Sequence, residues 1–200
     1  MKKNLLISFL IFAQFSFYAQ KEISFYRVDT IQTRVLWKCD KHNGDFKLQS
    51  GGLVVSKDNY DILGGKFIID IKTLRVMDMD TAQYKTAIII LQNTLINEFF
   101  EVHKYPYAIF DIQKVVPLGL NKYRFIGDLN LHGIENCISI DVEVKRKDKI
   151  IEIKSDKFKI DRTDWGIYRM SPQRPYSDDN NDWTVDDVVE LQVLLRAKEE

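Results

Sequence analysis

Apolar and polar residues alternate along most of this 200-residue chain. In the segment IDVEVK, residues 140–145, Ile140, Val142 and Val144 alternate with charged residues. Successive side chains of a β-strand point to opposite faces, so this period of two is typical of a strand with one buried face. Because the same period recurs almost to the end of the chain, we predict an all-β protein built as an antiparallel barrel or sandwich.

Turn-forming residues divide the alternating pattern into nine predicted strands. Examples are the segments HNG, residues 42–44, and KDK, residues 147–149. The predicted strands lie near residues 25–29, 33–40, 45–56, 65–74, 107–116, 122–131, 136–146, 149–161 and 187–197. We see neither a long polar linker nor an internal repeat, so we expect a single domain.

One segment, residues 81–99, follows the spacing of a helix instead. Its apolar residues recur every three or four positions, as in a helix with one apolar stripe. The residues of this stripe are Tyr84, Ile88, Leu91, Leu95 and Phe99. Asp80 or Thr81 can cap its start by accepting backbone hydrogen bonds. We expect this helix to cover the mouth or the flank of the barrel.

The first residues have the composition of an export signal. Lys2 and Lys3 precede an apolar run from Leu5 to Tyr18, and Ala19 offers a small residue for cleavage. The run is too short and too interrupted for a membrane span, which needs about 20 apolar residues. We predict a signal peptide over residues 1–19, a mature domain over residues 20–200, and a periplasmic or secreted location without a stable membrane span.

The charge balance excludes a strongly basic surface for nucleic acid. Lysine and arginine together number 29, as do aspartate and glutamate, so the formal net charge is zero. We therefore expect no nucleic-acid partner. Aromatic residues make up 12% of the chain, and each brings a large area that must be buried in a core or against a ligand.

The two cysteines are expected to point to opposite sides of the sheet. Cys39 shares strand parity with Trp37, on the predicted inner face, whereas Cys137 alternates with Ile138 and Ile140 and points outward. A disulfide between them is therefore disfavoured, although an exported protein could form one.

Motifs for catalysis and metal binding are weak. The three histidines, His42, His103 and His132, lie far apart, and neither a zinc pattern nor a nucleophile elbow occurs. The string Asp178-x-Asn180-x-Asp182 fits the start of a calcium loop, but Trp183 replaces the turn glycine and Val189 stands at position twelve. We predict no catalytic residue, no metal site and no enzymatic activity.

Four segments, in order, resemble the YceI-like family. They are YRVDTIQTRVLWKCDKHNGDF, NEFFEVHKYPYAIFDI, YRFIGDLNLHGIENCISIDVEV and FKIDRTDWGI, and the likeness runs from Tyr26 to about Ala197. The resemblance implies a lipocalin-like antiparallel β-barrel of about eight strands with one covering α-helix. It also implies an exported protein whose barrel interior binds a long isoprenoid or a similar amphiphilic lipid, with no other cofactor.

Strand parity and this resemblance together give the candidate ligand-binding residues. The expected apolar lining is Trp37, Phe46, Phe67, Ile69, Phe99, Phe100, Phe110, Phe125, Leu129, Leu131, Phe158 and Ile160. The expected polar or mouth residues are His132, Arg162 and Trp165. Asp161 and Arg162 could instead form a structural ion pair or cap a loop carbonyl. The family often has an Arg-Asp-x-His-Leu run where this chain has Leu91 to Leu95, so polar contacts to a ligand head group could be lost here.

Sequence parity does not separate a hollow barrel from a filled one, because a barrel of about eight strands can close around side chains alone or hold a small ligand. Two alternatives to a lipid carrier therefore stay open. One is a secreted barrel enzyme that acts on a small hydrophobic substrate, and the other is an interaction protein with a solid core. The identity of the lipid and the formation of a homodimer also stay open.

Overall fold

The computed structural model describes residues 22–173 and 184–200. The predicted signal peptide, residues 1–19, and the Asp178-x-Asn180-x-Asp182 string lie outside the described residues. The described part contains ten strands, one α-helix, a π-helical turn and a 3₁₀ turn. The strands are β1 (Ile23–Val28), β2 (Arg34–Lys38), β3 (Asn43–Ser56), β4 (Ile62–Val76), β5 (Tyr107–Gly119), β6 (Lys122–Leu131), β7 (Ile134–Lys147), β8 (Ile150–Ser155), β9 (Phe158–Asp161) and β10 (Val188–Glu199).

Eight strands form a closed antiparallel ring. From β2 to β8 each strand pairs with the next along the chain, and β10 closes the ring because it pairs with both β2 and β8. β1 lies beside β10 and β3, and β9 extends the pairing of β10. Closure pairs the edges that an open sheet would expose. The prediction of an all-β, antiparallel fold of about eight strands is confirmed.

The single strand predicted over residues 149–161 is two strands, β8 and β9. β8 ends at Ser155, where side chains replace the backbone groups in the hydrogen bonds to β10. Ser155 Oγ accepts from Val193 N at 2.8 Å, and Gln192 Nε2 donates to Ser155 O at 3.0 Å. The chain resumes at Phe158 as β9, which pairs with the preceding stretch of β10. A serine in the middle of an alternating run therefore marks a break that the period of two does not show.

The helical segment is shorter than predicted and begins later. Helix α1 spans Lys85–Thr94 and continues directly into the π-helical turn Leu95–Phe99. The carboxylate of Asp80 accepts from Ala82 N at 2.8 Å, so Asp80 caps the turn before the helix rather than the helix itself. The residue before the helix is Tyr84, which has no side-chain cap. It is exposed and so does not belong to the buried stripe.

Alternate residues of the ring strands fill its interior. Val144, Ile151, Leu53, Val55 and Ala197 are almost completely buried. The cysteines follow the predicted parity: both are free, with Cys39 partly buried against the core and Cys137 exposed. Among the described residues, no helix combines the length and the apolar character that crossing a membrane would require.

Candidate functional site

An apolar cavity of about 150 Å³ occupies one end of the ring. We call this the cavity end; here β2, β4 and β6 finish, and β3, β5 and β10 begin. The described lining is apolar except for one guanidinium and one thiol. It consists of Val35, Trp37, Cys39, Phe46, Ile69, Ile71, Leu74, Leu95, Phe99, Phe100, Ala108, Leu129, Leu131, Ile160, Arg162, Ile167, Val185, Val189 and Leu191.

Large side chains fill the ring below the cavity. Along β4, Ile69 lines the cavity and Phe67 lies beneath it, where it pairs across the sheet with Phe110 of β5. Along β6, Leu129 lines the cavity and Phe125 is buried outside the lining. The interior is therefore hollow at one end and packed with aromatic rings further along the same strands.

The strand β4 reaches the cavity end through a bulge. Thr73 Oγ1 accepts a hydrogen bond from Lys47 N at 2.8 Å and donates to Asp70 O at 2.6 Å, and the pairing with β3 shifts register at this point. A bulge places an extra residue in one strand and changes its parity. As a result Ile71 and Leu74, three positions apart, both line the cavity.

The helical segment covers the cavity end. Gln92 Oε1 accepts from Val76 N at 3.0 Å and so ties α1 to the end of β4. The π-helical turn then places Leu95 and Phe99 over the cavity. π-Helical turns occur frequently at functional sites. Phe100 follows and meets the ring of Phe46 edge to face, with 5.8 Å between the ring centroids.

Arg162 lies at the cavity wall, and its guanidinium is bonded to groups of the protein itself. It is 5% exposed, and its guanidinium donates to four backbone carbonyls at 2.6–3.2 Å. Nη2 also lies 3.1 Å from Asp187 Oδ1, and Cζ lies 5.7 Å from the centre of the Phe99 ring. Burial lowers the pKa of Arg162, and the nearby Asp187 opposes that shift. Of the two structural roles predicted for this pair, the ion pair with Asp161 is wrong, because Asp161 instead accepts from Thr163 N and Oγ1. The capping of loop carbonyls is confirmed by the four bonds of Arg162.

A cavity enclosed by an antiparallel ring and a covering helix is the arrangement that the sequence resemblance implied. The model of the YceI-like domain matches residues 26–197, which is most of the chain. The chain belongs to the YceI-like family. Among curated proteins, none matches this sequence.

Several solved structures share the YceI-like fold. BcnA of Burkholderia cenocepacia is 18% identical, with a TM-score of 0.64 over 86% of this chain and 99% of that one. A polyisoprenoid binding domain of Saccharophagus degradans, implicated in plant cell wall breakdown, is 12% identical, with a TM-score of 0.58 over 90% and 100%. The YCEI protein of Campylobacter jejuni is 17% identical, with a TM-score of 0.53 over 82% and 84%. At these identities the likeness shows the fold.

Within this YceI-like domain the predicted ligand-binding residues form two sets, one that lines the cavity and one outside the lining. Those that line the cavity are Trp37, Phe46, Ile69, Phe99, Phe100, Leu129, Leu131, Ile160 and Arg162. Those outside the lining are Phe67, Phe110, Phe125, Phe158, His132 and Trp165. The first four of the second set pack in or against the core of the ring.

Trp165 was predicted at the pocket mouth, with one wet end, and this placement is wrong. The residue is only 2% exposed, and its indole Nε1 donates to Leu129 O at 3.0 Å. It therefore anchors the 3₁₀ turn Arg162–Trp165 to the end of β6. A buried indole that has found an acceptor is a structural group.

His132 occupies a polar groove beside the cavity. It forms a two-residue turn with Gly133 between β6 and β7, and both residues have positive φ, as a type I′ turn requires. Its Nε2 lies 3.0 Å from Glu101 Oε2, and its Nδ1 lies 3.2 Å from Trp165 O. Phe99 and Ile167 line both this groove and the cavity, so they form the wall between the two.

Ten residues of the described lining are absent from the predicted ligand-binding set: Val35, Cys39, Ile71, Leu74, Leu95, Ala108, Ile167, Val185, Val189 and Leu191. Strand parity or the helical stripe places most of them on an inner face, but Leu74, Ile167 and Val185 have no such signal. Leu74 is displaced in parity by the bulge. Ile167 and Val185 lie in irregular segments, where no period applies. One local signal for Ile167 was available, since it directly follows Gly166, whose left-handed conformation ends the 3₁₀ turn.

Proposed function

We propose that this protein is an exported, non-enzymatic carrier that holds the hydrocarbon part of an isoprenoid or similar amphiphilic lipid. The observation that carries the proposal is the apolar cavity at one end of the ring. The polyisoprenoid binding domain of Saccharophagus degradans, which has the same fold, supports this choice of ligand class. The predicted signal sequence over residues 1–19 supports export.

The size of the cavity sets how much of the ligand it would enclose. A volume of about 150 Å³ equals that of an engineered protein cavity that takes up benzene. One ring, or a hydrocarbon segment of about six carbons, fits such a space. A longer chain would require the covering helix to move outward, or would leave the remainder of the chain at the mouth.

Affinity would come from the burial of apolar area, which contributes about 25 cal/mol per Å². Arg162 is the one charged residue of the described lining, and its donors already bind carbonyl oxygens and face Asp187. A phosphate inside the cavity would therefore have to displace these internal partners. We expect an uncharged chain inside and a charged head group, where one is present, at the mouth.

The two alternatives have less support. An enzyme needs an acid or a base that faces its substrate. In the described lining, Arg162 and Cys39 are the titratable side chains, and they form no acid–base pair. An interaction protein with a solid core would not need the space that the cavity end encloses.

Native mass spectrometry of the protein, expressed with its full sequence in a bacterial host and taken from the periplasmic extract, tests the proposal. The expected protein mass corresponds to cleavage after Ala19, and the expected added mass extracts into solvent as a prenyl lipid. Purified apo protein is then titrated with prenyl alcohols of increasing chain length. Binding of none of them would overturn the carrier proposal, and uncleaved protein in the cytoplasm would overturn export.

A further inference from the structure

Trp37 carries a buried hydrogen-bond donor without an acceptor in the described part of the chain. The residue is 8% exposed and lines the cavity, and its indole Nε1 has no hydrogen-bond partner among residues 22–173 and 184–200. Buried polar groups are nearly always paired, because an unpaired donor loses its hydration without compensation. The buried Trp165 shows the usual arrangement, with its Nε1 bonded to Leu129 O.

In the described part of the chain, the surroundings of Trp37 supply no acceptor for its Nε1. The indole lies across Gly44, its neighbour on β3. A Cβ added at Gly44 would lie 2.8 Å from Trp37 Cζ2, next to the Nε1 edge of the ring, and would overlap Arg75 O, yet Nε1 does not donate to that oxygen. On another side is Phe46, whose ring centroid is 6.5 Å away. The other side chains of the described lining are apolar apart from Arg162 and Cys39, so an occupant of the cavity is a candidate acceptor for Trp37 Nε1.

We propose that Trp37 Nε1 donates a hydrogen bond to an uncharged oxygen of the bound ligand and so sets its position and specificity. This inference rests on the proposed function and narrows the ligand class to apolar molecules that carry a carbonyl or ether oxygen. An indole N–H can only donate, so it favours acceptors. A charged acceptor is disfavoured, because burying an unpaired charge in an apolar cavity costs far more than one hydrogen bond returns.

The test compares two ligands that differ only at the acceptor. Geranylacetone carries a ketone oxygen, and its matched hydrocarbon has a methylene group in place of the carbonyl. Isothermal titration of the mature protein is expected to show a ratio of ketone to hydrocarbon affinity about tenfold higher than that of the Trp37→Phe variant, as one neutral hydrogen bond of about 1.4 kcal/mol gives. The Trp37→Phe variant keeps an aromatic ring and removes the N–H, so the preference is expected to disappear.

Phe46→Leu is the matched control. This substitution also removes aromatic surface from the lining, but it leaves Nε1 of Trp37 in place. Both ligands are expected to bind this variant more weakly and by the same factor, so the preference for the ketone remains. Thermal unfolding of each variant shows whether the protein is folded before binding is compared.

A second measurement needs no folded variant. The chain has three tryptophans, so a ¹⁵N-labelled sample gives three indole N–H signals. The Trp37 signal is the one that disappears in Trp37→Phe. If that variant does not fold, site-specific labelling of residue 37 identifies the signal. Geranylacetone is expected to move the Trp37 indole proton downfield by more than the hydrocarbon does. Binding of both ligands without preference and with equal shifts would overturn the role of Trp37 and leave the carrier function standing. Binding of neither ligand, nor of any prenyl alcohol, would overturn both.

Discussion

At the scale of the single residue, Arg162 shows how a charged side chain can line a cavity and still serve structure. Replacing it with methionine would leave Asp187 buried without its ion pair and four carbonyl groups without their donor. Removal of one partner from a buried pair costs about 3–5 kcal/mol. We therefore expect Arg162→Met to lower the free energy of unfolding by about that amount, measured by urea denaturation.

The control for this prediction is Arg124→Met. Arg124 donates to both carboxylate oxygens of Asp141 at 2.6 and 2.8 Å, but the pair lies on the exposed face of β6 and β7. An exposed ion pair contributes about 0–1 kcal/mol, so this variant should be nearly as stable as the parent protein. Equal losses in the two variants would mean that the contacts of Arg162 are not what stabilises this end of the ring.

Residue by residue, the sequence predicts the face of a side chain better than its partner. Parity correctly separates Cys39 from Cys137, because it depends only on position along a strand. It could not show that Arg162 pairs with Asp187, which lies in an irregular segment 25 positions later along the chain. It also could not distinguish the bonded indole of Trp165 from the unpaired one of Trp37.

At the scale of the element, helix α1 is apolar on two sides. Ile88 is 7% exposed and packs into the core, whereas Ile90, two positions on, is 61% exposed. We expect Ile88→Ala to cost about 2–5 kcal/mol of unfolding free energy, as for other buried isoleucines. Ile90→Ala should change it by less than about 0.5 kcal/mol, as is usual at exposed positions.

The same pair of variants tests whether α1 covers the ligand. Loosening the helix through Ile88→Ala should speed the release of a bound prenyl alcohol in stopped-flow measurements, while Ile90→Ala should leave the release rate unchanged. An unchanged release rate in Ile88→Ala, with the expected loss of stability, would show that the ligand leaves by another route.

Element by element, periodicity predicts strands well, and it fails where side chains interrupt the backbone ladder. Thr73 produces the bulge in β4, and Ser155 ends β8 by bonding β10. Both are polar residues inside otherwise regular runs, and the pattern contains no signal for what their hydroxyls bind. Periodicity also predicts which residues of a strand face inward, but not how far along the ring each one lies. Phe67 and Ile69 therefore receive the same prediction, although Phe67 fills the ring and Ile69 lines the cavity.

At the scale of the whole molecule, the ring combines a packed half with a hollow half. The packed half, with Phe67, Phe110 and Phe125, supplies buried area that stabilises the closed sheet. Since that half supports the fold, the cavity end can remain open under α1 and the π-helical turn. A filled core and a hollow interior therefore occur in one ring, each at its own end.

This division predicts that the cavity can be filled without loss of the fold. Ala108 lines the cavity, so Ala108→Leu adds three carbon atoms to open space. We expect unfolding free energy to stay within about 1 kcal/mol of the parent value. Prenyl alcohol affinity should fall about tenfold or more, as when about 1.4 kcal/mol or more of binding free energy is lost.

Ala197→Leu is the matched control, because Ala197 is fully buried in the packed part of the ring, outside the lining. There the same three carbons should destabilise the protein by about 1–3 kcal/mol, the usual cost of overpacking. Calorimetric unfolding and titration of both variants measure the contrast, and destabilisation of Ala108→Leu to the same extent as Ala197→Leu would mean that the space beside Ala108 is not open to a ligand.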